Sequence, residues 1–241
     1  MNSVDWDRSA TNYYSDVISP IKDTTQNIIF KDLGRFSSKE KSVIDLGCGV
    51  GELLPFLSTN FKLVYGVDFS KKMISQSEKK VIQMDNVHLF VDDLKKINLN
   101  EEFDLVVSIN SILSPNSNSI NKIIENCYNL TKTGGKFLCV LPSIESYIYQ
   151  SMVAKDYKKV SRKKITDFKK NFDLSNGVIN FDGDKQKAFY RFEAIYRLKK
   201  AGFKKIKISR LNYSWKSWKD AGQYFFPKEE NPWDWYLIAE K

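Results

Sequence analysis

The sequence predicts an α/β fold built on a mainly parallel sheet, and three features predict it. Short, apolar, β-branched runs alternate with runs of helical periodicity, the pattern of strands joined by helical crossovers. The first strand-like run, "KSVIDLG", ends in glycine and opens directly into a helix-like segment. The alternation holds as far as Pro142, breaks, and resumes near the C-terminus.

Each element has its own justification. "GELLPFLS" reads as a short helix with its proline tolerated in the first turn. "KLVYGVD" is a second strand closed by Asp68. In "SKKMISQSEKKVIQM" the spacing places Met73, Ile74, Ser77, Val81 and Ile82 on one face, with Ser70 as N-cap. "VHLFV" and "FDLVVSI" are the third and fourth strands. "SINKIIENCYNLTKTGG" sets Ile120, Ile123, Ile124, Cys127 and Leu130 at helical spacing and ends on a glycine C-cap signal. "GKFLCVLP" is the fifth strand. Beyond Pro142, "SIESYIYQSMVAKDYKKVSRKKITDFKKNF" reads as basic helices, and "GVINFDGDKQKAFYRFE" as a hairpin turning at Asp182-Gly183. "EAIYRLKKAGF" is a helix, and "KKIKISRL" and "WDWYLIAEK" are strands.

Composition narrows the function. The 241 residues are 42% hydrophobic and 14% aromatic, enough for a sizeable core. No apolar run is long enough to cross a bilayer, and the N-terminal residues lack a secretory signal pattern. Three cysteines, Cys48, Cys127 and Cys139, form no CxxC and leave one unpaired, which fits reduced thiols and a cytoplasmic location. Residues 155–210 hold 18 Lys or Arg against 6 Asp or Glu, whereas the rest of the chain holds 20 against 23. That basic segment is either a face for an anionic partner or a solvated helix surface; the excess of Lys over Arg favours the latter.

The chemistry concentrates in "VIDLGCGVGELLPFL". A glycine turn between strand and helix aims bare backbone N–H groups at a ligand. A dinucleotide fold would need a third glycine where Glu52 stands, and a carboxylate beside a diphosphate is electrostatically wrong. Asp45-x-Gly47-x-Gly49-x-Gly51 suits instead a ligand with a small zwitterionic end.

This stretch resembles motif I of the class I S-adenosylmethionine-dependent methyltransferases. The resemblance continues in family order through about 200 residues. It implies a Rossmann-like, doubly wound sheet of seven strands, the last antiparallel, with an insertion between strands 5 and 6. It implies S-adenosylmethionine as cofactor and S-adenosylhomocysteine as product. Gly47, Gly49 and Gly51, with Cys48 between them, would admit the methionine and sugar, and Asp45 would place the amino group. In "YGVDFS", Asp68 would accept the ribose hydroxyls, with Phe69 following. In "VDDLKK", Asp92, Asp93 and Leu94 would border adenine. In "FDLVVSINSIL", Ser108 and Ile109 would lie under the cofactor and Asn110 would face the acceptor. "WDRSATNYY" resembles a D-x-x-A-x-x-Y segment, with Asp7, Ala10 and Tyr13 in register and Tyr13 on a lid. Taken singly, each residue has a plainer use: a tight turn, a helix N-terminal acid, a solvated acidic pair, a packing tyrosine. The conjunction of ligand-type residues at three successive strand ends is what carries the reading.

The catalytic residue is open, with Asn110 and Tyr13 as candidates. The single histidine, His88, falls inside a strand, which disfavours a histidine-based O-methyltransferase, and no metal-ligand spacing appears. Trp215 and Trp218 are candidates for the acceptor pocket. The expected division is a helical lid (1–40), a cofactor core (41–142), a substrate cap (143–192) and the end of the core sheet (193–241). The expected activity is methyl transfer to nitrogen or oxygen of a small molecule or short peptide. The alternatives are an RNA methyltransferase using residues 155–210, or a cofactor-binding protein without turnover. No membrane partner is expected.

Overall fold

The computed structural model describes Asp7 and residues 18–156, 172–181, 183–220 and 225–241. After the helix α1 (Ile28–Phe36) come β1 (Ser38–Leu46), α2 (Leu54–Asn60), β2 (Phe61–Asp68), α3 (Lys71–Val81) and β3 (Val87–Val91). The chain continues through β4 (Phe103–Ile109), α4 (Ser117–Leu130), β5 (Thr131–Pro142) and α5 (Ile144–Asp156). Three short strands follow, β6 (Phe172–Asp173), β7 (Val178–Phe181) and β8 (Asp184–Lys187). The last elements are α6 (Arg191–Ala201), β9 (Lys204–Asn212), α7 (Trp215–Asp220) and β10 (Trp233–Glu240).

Seven strands form one twisted sheet in the order β3-β2-β1-β4-β5-β10-β9. The neighbours from β3 to β5 are parallel, and β10 runs antiparallel to both β5 and β9. This is the expected Rossmann-like α/β sheet with an antiparallel last strand. The central strands are apolar on both faces because helices cover both. Val43, Leu105 and Leu138 pack against α1, α2 and α3, while Ile44, Val106 and Phe137 pack against α4 and α6. Burying each such side chain contributes about 1.5–3 kcal/mol, so the sheet centre is the rigid part of the molecule.

The chain leaves β1 toward β2 and β3, then returns to place β4 on the other side of β1. Successive loops therefore diverge beyond the carboxyl ends of β1 and β4, and a crevice opens between them. The small antiparallel sheet β6-β7-β8 stands after β5. Its hairpin pairs Phe181 with Asp184, and Gly183 has φ 102°; Asp182 lies outside the described residues. Lys187 N–H donates to Leu113 O (2.9 Å) and Phe189 N–H to Pro142 O (2.7 Å), which ties this sheet across the crevice end of the core.

Two local expectations need correction, and a third lies largely outside the described residues. Ile82 does not share the buried face of α3: the helix ends at Val81, and Ile82 is 82% exposed. The glycines of "TKTGG" do not cap α4, which ends at Leu130 with an extended Thr131 whose hydroxyl donates to Cys127 O (2.7 Å). Gly134 and Gly135 instead lie within β5. Of the expected basic helices after Pro142, α5 carries one basic residue in its last turn, Lys155, and residues 157–171 lie outside the described set.

Candidate active site

The turn after β1 is clamped to the end of β2. Gly47 N–H and Cys48 N–H both donate to Val67 O, at 2.7 and 3.0 Å. Gly49 N–H donates to Asp68 Oδ2 (3.0 Å), and Ser70 N–H donates to Asp68 Oδ1 (2.9 Å). Gly47 has φ 80°, and a Cβ there would come within 2.2 Å of Ser111 Cβ, so only glycine brings the turn this close to the β4 loop. Ser70 caps α3 by accepting Met73 N–H (3.1 Å) and donates to Asp7 Oδ1 (2.5 Å). Hydrogen bonding from Ser70 holds the Asp7 carboxyl below its ordinary range.

A cavity of about 600 Å³ opens over this turn. Asp45 lines it, 3% exposed, and its carboxyl has no hydrogen-bond partner among the described residues. Burial, and then the neighbouring Asp68, push the Asp45 carboxyl up to about 7. Burial also raises Asp68, against the N–H bonds that lower it. The same burial, with Asp45 and Asp68 nearby, pushes the Cys48 thiol well above its usual range and leaves it protonated. Phe69, Met73, Leu94 and Ile109 supply apolar walls. Glu52 also lines the cavity, accepting from Ser19 Oγ (2.8 Å) and paired with Lys22 (2.6 Å). The floor is thus acidic, which suits a ligand with net positive charge and repels a diphosphate.

A second polar group sits further along the sheet, where β4, β5 and β10 end. Asp234 Oδ2 accepts from Tyr213 Oη (2.6 Å) and Asn110 Nδ2 (3.0 Å), and Oδ1 accepts from Ser143 N–H (3.2 Å). Burial raises the Asp234 carboxyl despite these three donors, and burial with Asp234 beside it drives the Tyr213 hydroxyl well above its normal range. Asn110 adopts φ 47°, a left-handed conformation that asparagine tolerates better than most residues. Its Oδ1 is buried without a partner. Tyr147, Trp218 and Tyr213 close this end.

A family model described as a methyltransferase domain matches residues 43–135, which contain the glycine turn, Asp68, Asp93 and Asn110. Over these residues the chain is similar to methyltransferase domains of the class I S-adenosylmethionine-dependent kind. Among curated relatives, it is 30% identical to the malonyl-[acyl-carrier protein] O-methyltransferase of Priestia megaterium over 105 residues, 43% of this chain and 37% of that protein. It is 28% identical to the ubiquinone biosynthesis O-methyltransferase of Coxiella burnetii over 123 residues, 49% of this chain and 51% of that one. The matches therefore span about half or less of these relatives' length. The fold resembles the N-methyltransferase NodS from Bradyrhizobium japonicum in complex with S-adenosylhomocysteine, with a TM-score of 0.64 at 12% identity over 100% and 99% of the two chains.

Within this methyltransferase fold, Asp45, Gly47, Cys48, Gly49, Asp68, Phe69, Asp93, Leu94, Ile109 and Asn110 all line the one cavity. Three other predicted positions are not among the lining residues. Gly51 packs against Ser77, Ser108 is fully buried with Oγ 2.6 Å from Ser111 Oγ, and Asp92 Oδ1 accepts Asp93 N–H (2.7 Å). Trp218 lines the cavity, whereas Trp215 turns its indole N–H to Glu229 O (3.0 Å) and packs on Phe226. Tyr13 and Ala10 lie outside the described residues. His88 is exposed on β3, its ring 5.5 Å from that of Tyr65. The sequence reading missed Asp234, Tyr147 and Ser111. An acid inside the apolar run "PWDWYLIA" was the available signal for Asp234, since an aspartate buried in a strand needs a reason.

Proposed function

We propose that the protein is an S-adenosylmethionine-dependent methyltransferase acting on a nitrogen or oxygen of a small molecule or short peptide. The observation that carries this reading is the buried carboxylate of Asp45, without a hydrogen-bond partner among the described residues, above a turn that requires glycine. Bound in this cavity, S-adenosylmethionine would supply a methyl group on a sulfonium, already activated for in-line displacement.

The residues present fit that group. Asp45 offers a buried negative charge to an ammonium, and the bare Gly47 lets the turn close onto Ser111 at the base of the cavity. Asp68 stands at the end of β2, where its carboxylate suits a vicinal diol; its bonds to Gly49 and Ser70 hold it in place. Leu94, Phe69 and Ile109 give a flat base apolar contact. No strong acid or base is needed for the displacement itself, so the protein's contribution is alignment and exclusion of water. Residues 143–192 act as the acceptor cap in this reading, since Tyr147, Lys185 and Gln186 line the cavity from that segment.

The test is incubation with methyl-labelled S-adenosylmethionine and fractionated small-molecule extract. Label appearing in a low-mass fraction supports the reading. Label confined to RNA, or no transfer by a protein that binds the cofactor, overturns it.

A further inference from the structure

The end of the cavity formed by β4, β5 and β10 has a donor–acceptor balance that specifies a ligand. Asp234 is 6% exposed, and its three partners are a phenol, an amide and a backbone N–H, all neutral. No lysine or arginine pairs with it among the described residues. The nearby Arg210 is engaged elsewhere, bonded to Glu230 and stacked over the Trp233 ring at 3.9 Å. A buried carboxylate without a cation is costly, and such a group is found where a ligand brings the cation.

Asn110 extends the argument. Its Nδ2 is committed to Asp234, so its Oδ1 cannot exchange places with it without setting two oxygens against each other. The buried, unpartnered Oδ1 therefore needs a hydrogen-bond donor from outside the chain, and beside the uncompensated Asp234 charge an N–H of a cation serves both groups. Around these acceptors stand electron-rich rings: Trp218 lies 5.5 Å from Tyr213 and 6.4 Å from Tyr147, centroid to centroid. Lys185 is exposed and Lys95 is paired with Asp93, so neither neutralises the inner end. One donor, the Trp218 indole N–H, is also buried without a partner and would take an oxygen of the same molecule.

We infer that the methyl acceptor is an amine-bearing small molecule whose ammonium or amine N–H groups are bound by Asp234 and Asn110 Oδ1 between Tyr147, Tyr213 and Trp218. This rests on the methyl-transfer reading and names its substrate class. Asp234 is a binding residue in this scheme, separate from the Asp45 and Asp68 end of the cavity. Across the sheet, β1 and β10 are three strand steps apart, about 14 Å sideways at about 4.8 Å per step, and Asp45 is level with Ile238, four residues along β10 from Asp234, so the two carboxylates stand roughly 20 Å apart. That leaves space for a cofactor at one end and an acceptor at the other.

The experiment titrates the protein, saturated with S-adenosylhomocysteine, with phenethylammonium, the matched alcohol and the matched carboxylate 3-phenylpropionate. The ammonium should bind about tenfold or more tightly than either, the scale of one desolvated charge-assisted hydrogen bond. Asp234→Asn should erase that preference while S-adenosylhomocysteine still raises the variant's melting temperature. Equal or tighter binding of the alcohol or carboxylate, or undetectable binding of the ammonium, overturns the inference. The wild-type comparison decides even if the variant fails to fold. Failure of S-adenosylhomocysteine itself to bind strikes the methyl-transfer reading instead; the ammonium preference is then measured on the protein alone.

Discussion

Asp45→Asn should stabilise the ligand-free protein and ruin its cofactor site in one step. Burial and Asp68 hold the Asp45 carboxyl at about 7, against an ordinary value of 3.8. Three units at about 1.4 kcal/mol each set a cost near 4 kcal/mol for carrying that charge above neutrality. A buried amide without partners returns about 1–2 kcal/mol of this, so the net gain is about 2 kcal/mol. For a chain of this size that is a rise in Tm of about 4–8 °C. The sign follows from linkage: the native state holds the proton more tightly than the unfolded chain, so wild-type stability falls as pH climbs from about 4 to 7. The variant's advantage should therefore be absent near pH 4, grow through that window and level off above it. Affinity for S-adenosylhomocysteine should drop about 100-fold, since a buried charge loses its partner. Thermal unfolding across pH 4–8.5, with and without ligand, measures both effects. A variant no more stable at pH 8, an advantage flat with pH, or unchanged affinity would refute the reasoning.

Gly47→Ala forces a Cβ to within 2.2 Å of Ser111 at φ 80°, so it should cost about 2 kcal/mol in denaturant unfolding and abolish cofactor binding. Ser70→Ala removes the α3 cap and the bond to Asp7; a loss of about 1 kcal/mol in chemical denaturation is expected, with weaker cofactor binding because Ser70 adjoins Asp68. Glu193→Gln strips a carboxylate from buried Lys187 and Arg197, both paired with it at 2.8 Å, and should lower stability by about 3 kcal/mol, read from urea midpoints.

What was legible in the sequence was what the chain encodes locally. Gly47, Gly49 and Asp68 occupy a strand–turn–helix unit whose shape depends on near neighbours, so their spacing carried their placement. The parallel core was legible for the same reason: both-sided apolar strands and one-sided helices mark their own faces. Asp234 was not legible as a site residue, because β10 enters between β5 and β9 and sets it against Pro142 and Leu211. Only that long-range register brings its carboxyl to Asn110, 124 positions earlier in the chain. Trp215 and Trp218 look equivalent in "YSWKSWKD" and join the same aromatic cluster, yet the three-residue step on α7 brings Trp218 and not Trp215 into the cavity wall. The glycines after α4 misled because a C-cap signal and a glycine-containing strand start share the same residues.

Calorimetric titration with S-adenosylhomocysteine, with NAD as the paired control, tests the central claim most directly. One saturable site for S-adenosylhomocysteine is expected, weakened about 100-fold in Asp45→Asn, with no heat from NAD. Silence from S-adenosylhomocysteine at millimolar concentration, or tight binding of the diphosphate, would contradict it.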